Sequence, residues 1–233
     1  PNVGRMEGPR GTPLSTEGGV WFSSFTEPYL PYLIRSPEYV PRVFPAVKVE
    51  PSEDRYVSER ILYKTRDGLS APIYLVRHRS VTPRTPSPLM LYSYGSFGDS
   101  VGPAYRPGIE AWLNRGGIYA VAVIRGGGEY GENWHRAGMR ENRYHVYEDF
   151  IDAAKYLIAS GWTTSAQLVS RGASAGGLLV GAAMALEPQL FGAVVCEVPI
   201  LDMVRFEKLG AGSLWTEEYG SVDNERQFRA LLK

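Results

Sequence analysis

The sequence is poor in cysteine, in net charge, in long apolar runs and in histidine. Cys196 is the one cysteine among 233 residues, which excludes an internal disulfide and any multi-cysteine metal centre. Twenty-five Lys and Arg balance 25 Asp and Glu, so no bulk field exists to hold nucleic acid or an anionic lipid surface. No apolar stretch approaches the ~20 residues of a membrane span. His78, His135 and His145 are the only histidines, and all lie in the first two thirds of the chain. What is present is the composition of a soluble globular protein: 44% hydrophobic and 21% charged residues, too apolar for a disordered chain. At about 100–200 residues per domain this length holds one or two domains. The chain starts at Pro1 and ends on Ala-Leu-Leu-Lys, which reads as mid-helix; the expectation is a fragment.

Two compositions divide it. Fifteen of 17 prolines lie at or before Pro107, and 20 of 26 glycines follow Met90. Proline fixes φ and removes a backbone donor, so the first ~45 residues are expected to be irregular or edge-strand structure, with one strand over Val20 to Phe25 and a turn over Glu27 to Pro31. Alternation over Ser58 to Thr65, the turn Arg66-Asp67-Gly68 and a second run over Pro72 to Val76 predict a hairpin. Residues 78–88, with three prolines, read as an exposed loop. Beyond them, Leu89 to Tyr92, Ile118 to Ile124, Gln167 to Ser170 and Ala193 to Val198 read as buried strands, alternating with helices over 108–115, 146–159 and 175–186. Glu148 and Asp149 would sit in the first turn of the second helix, where negative charge suits the dipole. Strands alternating with helices predict an α/β domain with a mostly parallel sheet.

Gly172-Ala173-Ser174-Ala175-Gly176 matches G-x-S-x-G. In that motif a strand ends in a sharp turn, the serine stands strained at the apex, and a helix starts behind it. Small neighbours let strand and helix pass closely, and the helix N-terminus aims N–H groups at an oxyanion. The alternative is a tightly packed strand–helix turn with a bystander serine. A nucleophilic serine needs a general base and an acid to orient it, which in this fold class follow in the order acid, then histidine. No histidine occurs in the 59 residues after Ser174. Asp202 and Asp223 do follow, without a partner histidine, and read as surface or hydrogen-bonding residues.

Five ordered segments carry a resemblance. They are Leu91-Tyr92-Ser93-Tyr94-Gly95-Ser96-Phe97, Ile124-Arg125-Gly126-Gly127-Gly128-Glu129-Tyr130-Gly131-Glu132-Asn133-Trp134-His135, Gly172 to Leu179, Pro188 to Ala193, and Leu214-Trp215-Thr216-Glu217-Glu218-Tyr219-Gly220. Together they resemble the prolyl oligopeptidase family of serine peptidases, strongly over residues 89–220 and more weakly over 47–88. The resemblance implies an α/β-hydrolase fold, with its C-terminal part missing, preceded by the last strands of a β-propeller. Residues 1–46 would be the remnant of the last blade and 47–233 the first part of the peptidase domain. It also implies that Ser174 is the nucleophile, that the Tyr94 hydroxyl and the Ala175 N–H donate to the oxyanion, and that Phe97, Ile200, Trp215 and Tyr219 line the specificity pocket. A proline ring is a flat apolar disc, and aromatic faces contact it without leaving polar groups unpaired. Without the resemblance, Tyr94, Trp215 and Tyr219 would read as core aromatics. Trp215 and Tyr219, four apart, would share a face if helical.

Two positions depart from the family's pattern. Ala175 stands where proline-specific members usually have Asn, as in the oligopeptidase B branch, and Ser96 replaces a second glycine after Tyr94. The family's acid, histidine and substrate-binding arginine find no match here. Arg125-Gly126-Gly127-Gly128 lacks the Lys-Ser/Thr ending of a phosphate loop and reads as a tight turn near the catalytic face. His135 is expected to make a structural hydrogen bond, and Cys196 to be an inert buried thiol.

The expected function is a serine endopeptidase or oligopeptidase that cleaves short peptides after proline through an acyl-enzyme on Ser174. It would use no cofactor and no metal, and bind neither nucleic acid nor membrane; the oligomeric state stays open, and the localisation is taken as cytoplasmic. The 233 residues alone are expected to be inactive. The alternatives are an oligopeptidase B-like enzyme cutting after Arg or Lys, and a non-catalytic binding protein that kept the fold without the base.

Overall fold

A computed structural model describes residues 4–12, 14–44, 55–83 and 85–232. Two sheets account for its strands. The first is an antiparallel meander of β1 (Gly4–Arg10), β2 (Glu17–Ser24), β3 (Leu30–Arg35) and β4 (Arg42–Val43). The proline-rich region is therefore more regular than its composition predicts. Pro9 sits in β1, an edge strand, where a missing N–H is tolerated, and Pro31 is the second residue of β3, opposite Trp21. Most of β1 is exposed. The boundary expected at residues 46/47 lies outside the described residues.

The second sheet has six strands in the order β10-β9-β7-β8-β6-β5. The strands β5 (Tyr56–Lys64) and β6 (Ser70–His78) form the expected hairpin, in register from Tyr56 opposite His78 to Lys64 opposite Ser70. The turn closes where the Gly68 N–H donates to the Thr65 carbonyl at 2.8 Å. An exposed loop then leads to β7 (Leu89–Tyr92), α1 (Pro107–Leu113) and β8 (Ile118–Ala122). After β8 come α2 (Glu132–Arg136), α3 (Tyr144–Ala159), β9 (Leu168–Ala173), α4 (Ala175–Leu186) and β10 (Ala193–Glu197). Two short helices, α5 (Thr216–Tyr219) and α6 (Glu225–Leu231), end the described chain. Pairings among β7, β8, β9 and β10 are parallel, and those of β6 with β5 and β8 antiparallel, so the sheet is mixed.

Strand periodicity divides the core between the two faces of this sheet. In β8, Ile118, Ala120 and Ala122 pack with Val146, Phe150 and Leu157 of α3 and Leu179, Val180 and Ala183 of α4. The alternate residues Tyr119 and Val121 pack with Ile109 and Leu113 of α1 and with Phe25, which follows β2. All five residues of β8 are buried, as in a strand covered on both faces. Phe25 and the bond from the Tyr105 N–H to Ser23 Oγ at 3.2 Å tie the first sheet to the second.

Three expectations are corrected. Ala193 to Val198 is a strand, but β10 is the edge of the sheet and its side chains are largely exposed; an apolar run shows that a strand wants cover, not that this chain supplies it. Cys196 is consequently exposed, with its Sγ 3.2 Å from the Gly177 carbonyl. And α3 begins at Tyr144, so Glu148 and Asp149 lie past its first turn; Asp149 is wholly buried, for a reason given below. Among the described residues no helix is long and apolar enough to cross a membrane.

Candidate active site

β7 lies between β8 and β9, so connections leave its neighbourhood in opposite directions. Ligands bind at such switch points, outside the C-terminal ends of parallel strands. Tyr94 stands two residues past β7, and Ser174 directly follows β9. The two strands are neighbours, with Tyr92 opposite Arg171, and this adjacency brings both side chains to the same cavity.

Ser174 has φ 57° and ψ −118°, a conformation rare for a residue with a Cβ and held only where its surroundings fix it. Its N–H donates to the Glu197 carbonyl on β10 at 3.0 Å, and its carbonyl accepts from the Leu178 N–H at 3.1 Å. The turn requires Gly172: a Cβ there would lie 1.9 Å from the Gly176 carbonyl oxygen. No side chain caps the N-terminus of α4, so the Ala175 N–H and the positive end of the helix remain to meet developing negative charge. Burial holds the Tyr94 pKa above the ordinary tyrosine value, against the opposing pull of the neighbouring Ser174 hydroxyl. Tyr94 is therefore a neutral donor at neutral pH.

Ser174, Tyr94, Ala175, Phe97, Ile200, Trp215 and Tyr219 all line one cavity of about 300 Å³. Trp215 ends a turn of 3₁₀ helix at Gly212–Trp215, and Tyr219 ends α5, so the two reach the cavity without one continuous helix. The Phe97 and Tyr219 rings meet edge-on at 5.7 Å, and Phe206 meets Tyr219 edge-on at 5.9 Å. Phe206, Met203 and Asp99 also line the cavity and were not singled out from the sequence.

Among the described residues no histidine lines it. The His135 Nε2 lies 2.8 Å from Glu218 Oε2, the His145 Nδ1 3.1 Å from Glu148, and the His78 Nδ1 2.7 Å from Ser80 Oγ. Asp202 accepts from Arg205 Nε at 2.6 Å. Arg125 is no phosphate ligand: its side chain is buried and makes paired bonds to Asp149 at 2.9 and 2.6 Å and one to Asp67 at 2.7 Å. That pairing explains the burial of Asp149. No cluster of His, Cys, Asp and Glu among the described residues could hold a metal ion.

Behind the cavity is a group that sequence reasoning missed. Glu218 is buried; its Oε1 accepts the Phe97 N–H at 2.8 Å while Oε2 meets His135. Arg143, also buried, donates to the Gly95 carbonyl at 2.7 Å and to Ser96 Oγ at 2.6 Å. The Arg143 guanidinium also lies 5.0 Å from the centre of the Tyr219 ring, so it links the serine that departs from the family pattern to the opposite wall. Neighbouring Glu217 is exposed and pairs with Arg140.

Residues 103–233 match the model of the prolyl oligopeptidase family. The chain belongs to the prolyl oligopeptidase family. It is 39% identical over 191 residues to a prolyl endopeptidase of Elizabethkingia miricola, covering 82% of this chain and 27% of that protein. A solved structure from work on two prolyl endopeptidases is similar with a TM-score of 0.95 and 38% identity, over 99% of this chain and 34% of its own. Oligopeptidase B of Trypanosoma brucei, with covalently bound antipain, is similar with a TM-score of 0.87 and 35% identity, over 93% of this chain and 31% of its own. The chain spans about a quarter of the length of the curated relatives it matches. Its larger sheet is part of the family's α/β hydrolase, and its four-stranded antiparallel sheet has the form of a propeller blade.

Proposed function

We propose that these residues are part of a serine peptidase that hydrolyses short peptides after proline. Residues 1–46 are read as the propeller's last blade and 47–233 as the first part of the peptidase domain. Ser174 attacks the scissile carbonyl, and the Tyr94 hydroxyl and Ala175 N–H receive the oxyanion. Such donors are worth about 3–4 kcal/mol each in comparable sites. The observation that carries proline preference is the state of the acids around the cavity. Glu217 points to Arg140 and does not line the cavity, and both Glu218 oxygens are engaged. The ring slot is left to Phe97, Trp215, Tyr219 and the aliphatic Ile200. A basic side chain would find only Asp99 there. That acid, with the likeness to an oligopeptidase B, supports the second reading, cleavage after Arg or Lys.

With no histidine facing Ser174, the 233 residues alone are read as lacking the base, and so as without significant turnover; residual catalysis would come only from the oxyanion site and binding. The protein is taken to work in the cytoplasm. The test uses the product of the complete reading frame that contains this chain. A serine-directed phosphonate should label it at Ser174, Ser174→Ala should abolish labelling, and a reporter cleaved after Pro should outrun its Arg counterpart. Unchanged labelling of Ser174→Ala would contradict the nucleophile; faster cleavage after Arg would move the enzyme to the second reading. A protein with neither labelling nor hydrolysis would be the non-catalytic binding protein.

A further inference from the structure

The Gly95–Val101 segment between β7 and α1 carries Phe97 and adjoins Tyr94, and is neither helix nor strand. Phe97 adopts φ 59° and Gly98 φ 65°, the left-handed pair at the centre of a turn closed by the Asp99 N–H on the Ser96 carbonyl at 3.0 Å, costly for a bulky residue. Glu218, one residue before Tyr219 on the opposite wall, ties this turn down: its carboxylate accepts the Phe97 N–H at 2.8 Å.

That carboxylate is itself fixed. Its other oxygen meets His135 Nε2 at 2.8 Å, and Arg143 Nη1 stands 3.7 Å away. The Arg143 Nε and Nη2 have no hydrogen-bond partner among the described residues. Glu218 is its anionic neighbour, and the Tyr219 ring at 5.0 Å and the Tyr147 ring at 5.7 Å also face the guanidinium. A buried ion pair of this kind rarely stabilises a fold more than apolar side chains of the same volume would. What this one achieves is geometric: it connects Phe97, Ser96 and Tyr219, the two aromatic walls and the residue between them.

We propose that Glu218 is a positioning residue that sets the width of the ring slot by tying Phe97 to the Tyr219 wall, with His135 orienting its carboxylate. The proposal rests on the reading of the cavity as the proline pocket. A flat ring gains from two aromatic walls only at fixed spacing, whereas a methyl side chain makes few contacts with either. Loosening the tie therefore costs proline more than alanine.

The experiment measures kcat/KM on matched reporters cleaved after Pro and after Ala, in the full reading-frame product. It is accompanied by thermal melting and the rate of phosphonate labelling at Ser174. Glu218→Ala would leave Arg143 buried without its anion, and so is open to misfolding. Glu218→Gln keeps the volume but, with one acceptor oxygen in place of two and no charge beside Arg143, cannot hold Phe97 and His135 as the carboxylate does. His135→Gln loosens the carboxylate from the other side. Both Gln variants are expected to be labelled within about threefold of the wild type. The Pro/Ala selectivity should fall on the order of tenfold in Glu218→Gln, the scale of a small mismatch in an apolar pocket, and less in His135→Gln. A purely structural role would lower both substrates in proportion to the folded fraction and leave the ratio unmoved; an unchanged ratio overturns the positioning role. If Glu218→Gln fails to fold, the ratio in His135→Gln decides in the same way. A wild-type protein with no preference for proline would instead overturn the pocket reading, and this inference with it.

Discussion

The cavity beside Ser174 has two walls built on different principles. The first, Tyr94 to Val101, is held from behind by buried charge: Glu218 on the Phe97 N–H and Arg143 on Gly95 and Ser96. It also rests on the turn after β8, whose Gly126 carbonyl accepts the Gly98 N–H at 3.1 Å. The second, Val198 to Trp215, has its anchor in Phe206, which is fully buried against Tyr219. Around that anchor its apolar side chains are open, with Val198 80% and Leu214 77% exposed. Both walls contribute apolar area to one pocket. Only the first has its backbone position fixed by groups it cannot lose without leaving a buried charge or polar atom unpaired.

The strongest way to break this contrast is to remove one acid from each region. Asp149 holds Arg125, whose side chain is 5% exposed and whose remaining partner Asp67 is half-exposed. Asp149→Ala leaves a buried guanidinium poorly paired and should cost about 3–5 kcal/mol, read as a shift in urea midpoint. Asp202 pairs with Arg205 on the second wall, where the arginine is mostly exposed. Its loss should barely move the urea midpoint, because the pair is solvent-screened. Comparable losses at the two sites would mean that the turn on which the first wall rests is no better anchored than the second wall.

A finer test uses two glycines of similar backbone. Gly95 has φ +66° and Gly210 φ +55°, so alanine at either meets a strain of about 1–2 kcal/mol. At Gly95 the new Cβ would also lie 2.7 Å from Ile124 Cδ1 and Val146 Cγ1, whereas Gly210 has nothing within 4 Å. Overpacking adds about 1–3 kcal/mol. Gly95→Ala should therefore destabilise clearly more than Gly210→Ala in the same urea titration; equal effects would show that the core under the first wall gives way freely.

The sequence revealed these walls unevenly. The serine turn was legible because its requirements are local: small residues, a strand before and an apolar helix after, and α4 indeed runs over Ala175–Leu186. The hairpin was legible for the same reason. Glu218 was not, because nothing local separates it from Glu217: the two are adjacent and chemically identical, and only the tertiary placement of His135, Arg143 and Phe97 buries one and leaves the other in solvent. Asp149 was misread as a first-turn acid because its partner Arg125 is 24 residues away. β10 was misread as buried because apolarity records what a strand needs covered rather than what covers it.

Glu129 supplies the smallest and most specific test of the first wall. Its Oε1 accepts the Val101 N–H at 2.7 Å, while its Oε2 is buried with no hydrogen-bond partner among the described residues. Burial pushes its pKa above the ordinary carboxylate value, against the pull of the Val101 bond. A carboxyl raised on folding contributes stability that is fully present below its unfolded pKa and is lost as pH rises through its folded pKa. Above that range the fold carries an incompletely solvated charge. Glu129→Gln keeps the acceptor for Val101 and removes the charge. It should raise the melting temperature relative to wild type at pH 8, by an amount corresponding to about 1 kcal/mol, and give no gain at pH 3.5. A variant equally shifted at both pH values would mean that the carboxylate is not strained by its burial, and that the outer end of this wall is held by shape alone.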